Sequence, residues 1–88
     1  MLERDVEQYL VKRVKALGGE CFKWVSPGRV GVPDRIVVLP GGQIMFIEVK
    51  RPGAKPTKLQ IHTLQMLGRL GCRANWLDSK EAVDDLFP

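Results

Sequence analysis

No apolar stretch in this chain approaches the roughly 18 residues needed to cross a bilayer, which excludes a membrane-spanning helix. The N-terminus is acidic and amphipathic and lacks the pattern of a secretory signal, so the expected location is the cytoplasm. Cysteine is scarce. Cys21 and Cys72 fall in strand-like segments without metal-type spacing and are expected as buried thiols, not as a disulfide or a ligand pair. The single histidine, His62, shares a helix stripe with Lys58, Gln65 and Arg69, which places it on the surface and makes it a poor general base. No repeat, low-complexity tract or linker divides the chain. Its 88 residues have room for one small core, and we expect a complete single domain over residues 1–88.

What is present is an ordinary globular composition, 44% hydrophobic and 27% charged. The charge is uneven. Residues 1–73 carry 13 Lys/Arg against 6 Asp/Glu, a balance of +7, whereas residues 74–88 carry 1 against 4, a balance of −3. A basic body with a pI near 9.4 is compatible with nucleic acid as partner, and equally with solubility alone.

Val6, Leu10, Val14 and Leu17 recur at helical spacing, which predicts a helix over Leu2–Leu17, closed by Gly18-Gly19. Glu20–Val25 reads as a strand and Ser26–Pro33 as a loop, broken by two prolines and two glycines. Asp34–Leu39 and Gln43–Lys50 are strands of a hairpin turning at Pro40-Gly41-Gly42. A loop over Arg51–Pro56 leads to a helix over Thr57–Leu70. Thr57 is its N-cap, Gln60 completes a capping box, and Ile61, Leu64, Leu67 and Leu70 form its apolar side. Cys72–Leu77 is a fourth strand, and Asp78 with Glu81 caps a short helix to Leu86. The order α-β-β-β-α-β-α predicts an α/β fold, a mixed sheet flanked by helices, with a right-handed crossover into the last strand.

The chemistry gathers on the hairpin. Strand alternation puts Glu48 and Lys50 on one face. An odd-length turn sets Leu39 against Gln43 and, counting outward, Asp34 against Glu48, with Cβ atoms about 4.5–5.5 Å apart. Two carboxylates that close repel, and one holds a proton unless a cation joins them. A divalent ion resolves the conflict and activates a bound water. Lys50 can orient that water or stabilise developing phosphate charge. The alternative is a strand-end cluster in which Lys50 merely neutralises Glu48.

Gly31-Val32-Pro33-Asp34 and Glu48-Val49-Lys50, with thirteen residues between Asp34 and Glu48, resemble the signature of the PD-(D/E)xK nuclease superfamily. The αβββαβ order resembles its restriction-endonuclease-like core, here with an added short C-terminal helix. The finer resemblance is to the VRR-NUC (virus-type replication-repair nuclease) family in its small standalone form. It runs over nearly the whole chain, through a Glu on the first helix, Ser26-Pro27-Gly28, Gly31-x-Pro33-Asp34, Glu48-x-Lys50 and Gln60.

The resemblance implies metal-dependent cleavage of DNA phosphodiesters. It implies Asp34, Glu48 and the Val49 carbonyl as ligands of Mg²⁺ or Mn²⁺, and Lys50 as the catalytic lysine. Glu3 and Glu7 both lie on the flank of the first helix's apolar stripe. The resemblance to junction resolvases favours Glu7, three residues before Leu10, as the helix carboxylate of the catalytic set. Gln60 shares a face with Leu64 and Leu67 and is expected near the metal besides its capping role.

Flexible basic loops flank this centre: Ser26 and Arg29 lie before Asp34, and Arg51, Lys55 and Lys58 lie after Lys50. They suit contacts to the phosphate backbone, which position DNA without reading sequence. The resemblance further implies a homodimer acting on branched DNA such as a four-way junction, often in a phage or prophage setting. Trp76 and Phe87 are interface candidates that read more readily as core. The rival readings are a nonspecific or restriction-like nuclease with the same site, and a nucleic-acid-binding module that does not cut.

Overall fold

The computed structural model describes all of residues 1–88. The elements are α1 (Glu3–Ala16), β1 (Glu20–Lys23), β2 (Arg35–Leu39), β3 (Gln43–Val49), α2 (Lys58–Arg69), β4 (Arg73–Leu77) and α3 (Lys80–Leu86). The strands form one sheet in the order β1-β2-β3-β4, antiparallel through β3 and parallel between β3 and β4. This is the α/β architecture expected, a mixed sheet flanked by helices. No helix is long and apolar enough to cross a membrane.

The helix α1 forms because its apolar residues fall on one stripe and its ends are electrically matched. Glu3 and Asp5 lie in the first turn, Arg13 and Lys15 in the last. The Leu2 amide donates to the Asp5 carboxylate at 2.7 Å. Val6, Leu10 and Val14 are fully buried. Leu17 and Leu70, expected as the ends of the two helical stripes, are instead C-cap residues that face solvent.

With α3, α1 covers one face of the sheet. Val37, Met45, Ile47, Val49, Leu77, Val83 and Phe87 join the α1 stripe in a single core. Phe87 is 2% exposed and therefore core, not an interface residue. On the other face α2 packs beside β4, and Ile61, Leu64, Ala74 and Trp76 line a cleft between them. Phe22 and Ile44, at the far end of that face, are 54% and 50% exposed.

The hairpin register is the one the turn dictates. Leu39 pairs with Gln43 and Arg35 with Ile47. Gly41 and Gly42 both take positive φ, at 88° and 77°, which residues with a Cβ rarely adopt. Several boundaries are tighter than expected. β1 stops at Lys23, β2 starts at Arg35 and β3 stops at Val49. Cys72 precedes β4 and is half-buried, unlike Cys21, and both thiols are free. The cap of α3 is Ser79, whose hydroxyl accepts from the Ala82 amide at 3.0 Å, so Asp78 lies one residue outside that role.

Candidate active site

Asp34 sits where the turn-rich Ser26–Pro33 segment enters the sheet, and it is fixed at both ends. Its carbonyl accepts from the Trp24 amide at 2.9 Å, extending the β1–β2 ladder by one rung. Its side chain reaches across the hairpin, and Oδ2 accepts from the Val49 amide at 2.9 Å. Pro33, fully buried, holds the approach. The register places Glu48 beside it on β3, on the face opposite Ile47 and Val49.

Glu48 is 2% exposed. Lys50 lies on the same face, and its Nζ stands 3.4 Å from Glu48 Oε2. The Lys50 amide donates to the Leu77 carbonyl at 2.8 Å, which anchors the lysine just past the strand. Glu48 Oε1 has no hydrogen-bond partner. Burial first, and then the Asp34 carboxylate, push the Glu48 carboxyl up to about 7, with Lys50 pulling the other way. A buried carboxylate oxygen without a donor is costly in a small core.

Glu7, expected in the catalytic set, is paired with Arg35. Its Oε2 accepts from Arg35 Nε at 2.8 Å, and Arg35 also donates through Nη1 to the Cys21 carbonyl at 3.2 Å. Arg35 follows Asp34 directly, so its side chain points to the α1 face of the sheet while Asp34 and Glu48 face the α2 side. The structure therefore gathers Asp34, Glu48 and Lys50 but leaves Glu7 in a separate ion pair, and Glu3 is exposed. The sequence reading missed Arg35. Its partner lies 28 residues away, and no local spacing announces such a pair.

The other candidates divide. Gln60 accepts from the Thr57 amide at 2.9 Å through Oε1, and Thr57 accepts in return from the Gln60 amide at 3.2 Å, so the capping box is complete. The segment around Arg29 is less free than expected. The Arg29 guanidinium lies 3.8 Å from Met66 Sδ on α2. A Cβ at Gly31, where φ is +86°, would stand 2.8 Å from Leu59, so that loop rests on the helix. Ser26 is half-buried, and Arg29, Arg51, Lys55 and Lys58 are exposed. None of these four cations is in an ion pair.

The donor set fits a hard divalent cation. It offers two carboxylates, one with a bare buried oxygen, and the Val49 backbone between Glu48 and Lys50. No group of three or more His, Cys, Asp or Glu converges anywhere in the chain, this site included. A cation here would have two acids, with water, backbone carbonyl and substrate oxygen filling the remaining positions.

Comparisons with known proteins find similarity over nearly the whole chain. The profile of the VRR-NUC domain matches residues 2–81. The chain is 48% identical over 79 residues to the "Putative nuclease p44" of Acyrthosiphon pisum secondary endosymbiont phage 1, covering 90% of this chain and 85% of that protein. A solved structure described as a VRR-NUC domain superposes with a TM-score of 0.90 at 35% identity, covering 96% of this chain and 91% of that one.

Proposed function

The chain belongs to the VRR-NUC domain family and is a nuclease, and on that premise we propose a divalent-metal-dependent, structure-selective endodeoxyribonuclease that cuts branched DNA in the cytoplasm. The observation that carries this reading is Glu48, buried beside Asp34 with one oxygen unpartnered. Repulsion and lost solvation at that point are relieved by a cation. Asp34, Glu48 and the Val49 carbonyl hold Mg²⁺ or Mn²⁺. The ion, when bound, supplies charge at the scissile phosphate and lowers the pKa of water. Lys50, 3.4 Å from Glu48, faces the same site and stabilises charge developing on the phosphate. Gln60 has its oxygen committed to the cap, which leaves its amide nitrogen to orient substrate.

Ser26, Arg29, Arg51, Lys55 and Lys58 position the backbone. Four-way junctions are the substrate this reading favours, cut by a homodimer that presents two sites related by a two-fold axis. The bare apolar end of the sheet at Phe22 and Ile44 supports self-association. Labelled four-way junction, duplex and single strand, each incubated with Mg²⁺, Mn²⁺ or EDTA, test the proposal. Paired, metal-dependent cuts on the junction are expected, with light scattering giving the mass of a dimer. Equal cutting of duplex by a monomer would leave a general nuclease, and binding without cutting in any metal would leave a binding module.

A further inference from the structure

We propose a second phosphate-binding groove on the α1 face of the sheet, which takes the backbone of a nucleic-acid arm diverging from the one held at the α2 face; this rests on the nuclease reading above. A concavity of about 520 Å³ lies between α1 and β2, lined by Arg4, Glu7, Gln8, Val11, Lys12 and Arg35. Three of these residues are cations and one is an acid. Arg35 engages that acid at 2.8 Å, so Glu7 neutralises only Arg35. Arg4 and Lys12 remain exposed and without an ion pair. Lys23 adds a third unpaired cation. It is the direct cross-strand neighbour of Arg35, on the same face as buried Cys21, and it is exposed. Uncompensated cations around a concavity concentrate polyanions.

The position of the groove gives it meaning. Arg35 is the residue after Asp34, so the groove begins at the catalytic end of the sheet but on its reverse side. Arg51, Lys55 and Lys58 serve the α2 side. The sheet itself separates the two sets of cations, and a straight duplex tracking one face does not reach the other. Branched DNA, whose arms part near the scissile phosphate, reaches both.

The test is the Arg4→Ala/Lys12→Ala/Lys23→Ala variant, with Arg35 untouched. Its affinity for labelled four-way junction and for linear duplex is read by fluorescence anisotropy in EDTA across a salt series. Counter-ion release gives about fivefold per phosphate contact near 0.15 M salt, so junction binding should weaken by about 100-fold and its salt slope should flatten by about 3. Duplex affinity and the single-turnover rate on saturating junction should stay within about twofold. Unchanged junction affinity, or an equal loss on duplex, overturns the groove. Melting by circular dichroism checks the fold, and the milder Lys12→Gln/Lys23→Gln pair, expected to weaken junction binding by about 25-fold, replaces the triple variant if it melts early. Wild-type protein that binds no nucleic acid defeats the nuclease reading itself; wild type that cuts junctions beside an indifferent variant defeats only the groove.

Discussion

Two glutamates carry ion pairs on opposite faces of one sheet, and the two pairs are built differently. Glu7 and Arg35 meet at 2.8 Å, each side chain nearly one-fifth exposed, and Arg35 Nη1 also donates to the Cys21 carbonyl. Glu48 and Lys50 stand 3.4 Å apart, with Glu48 buried, one oxygen bare and a second acid alongside. The first pair ties α1 to β1 and β2 and leaves little unsatisfied. The second leaves one carboxyl oxygen without a partner, a vacancy that a proton or a further cation can fill. Hydrogen-bond satisfaction, more than the presence of an acid and a base, separates a structural pair from a reactive one.

The contrast is sharpened most by removing the two acids proposed as metal ligands. Asp34→Asn or Glu48→Gln should lower junction cleavage by about a thousandfold or more, because the metal's several kcal/mol are lost, while binding persists or tightens as repulsion against phosphate falls. Near wild-type rates in Mg²⁺ would show that these acids are not the ligands. Lys50→Ala should lower the rate by about 100-fold and leave Mn²⁺ binding by calorimetry intact, since the ammonium acts on the transition state. Loss of metal binding as well would make Lys50 a structural partner of Glu48.

The third test reads stability. The folded Glu48 carboxyl titrates near 7, above its ordinary 4.5, so the folded state holds its proton more tightly than the unfolded chain. That contribution is fully present below pH 4.5 and is lost as pH rises through about 7. In EDTA, Glu48→Gln should therefore melt above wild type at pH 8, by up to about 3 kcal/mol, and match it near pH 4.

The smallest effect belongs to the other pair. Glu7→Gln should cost about 1–2 kcal/mol of stability and change cleavage less than about tenfold, and Glu7→Arg with Arg35→Glu should recover part of the loss. If Glu7→Gln instead melted like wild type but cut as poorly as Glu48→Gln, Glu7 would be a metal ligand and the comparison would collapse.

What was legible in the sequence is what local geometry controls. The hairpin register follows from turn length alone, and it put Asp34 beside Glu48. Lys50 shares their face by simple alternation. Thr57 and Gln60 announced their capping box because capping chemistry is confined to one helical turn. The Ser79 cap was missed because Asp78 and Ser79 are both good caps, and packing of Val83 and Phe87 chooses between them. The partner of Glu7 was illegible because it arrives through tertiary packing of α1 on β2. Leu17 and Leu70 continue an apolar period beyond the last turn, where no neighbour remains to bury them.

The Asp34 carboxylate grips the Val49 amide across a single hairpin, with a two-glycine turn between them. Both acids therefore meet within one contiguous stretch of chain, through contacts whose loop closes fast, whereas β4 joins β3 only after α2 has crossed over. The repulsion between Asp34 and Glu48 is then felt at an early step of folding. Refolding in EDTA should slow as pH rises past 7, with the unfolding rate nearly constant, and stopped-flow fluorescence of Trp24 and Trp76 would follow it. A divalent cation added at the start should restore the rate, making the ion an aid to assembly of the domain.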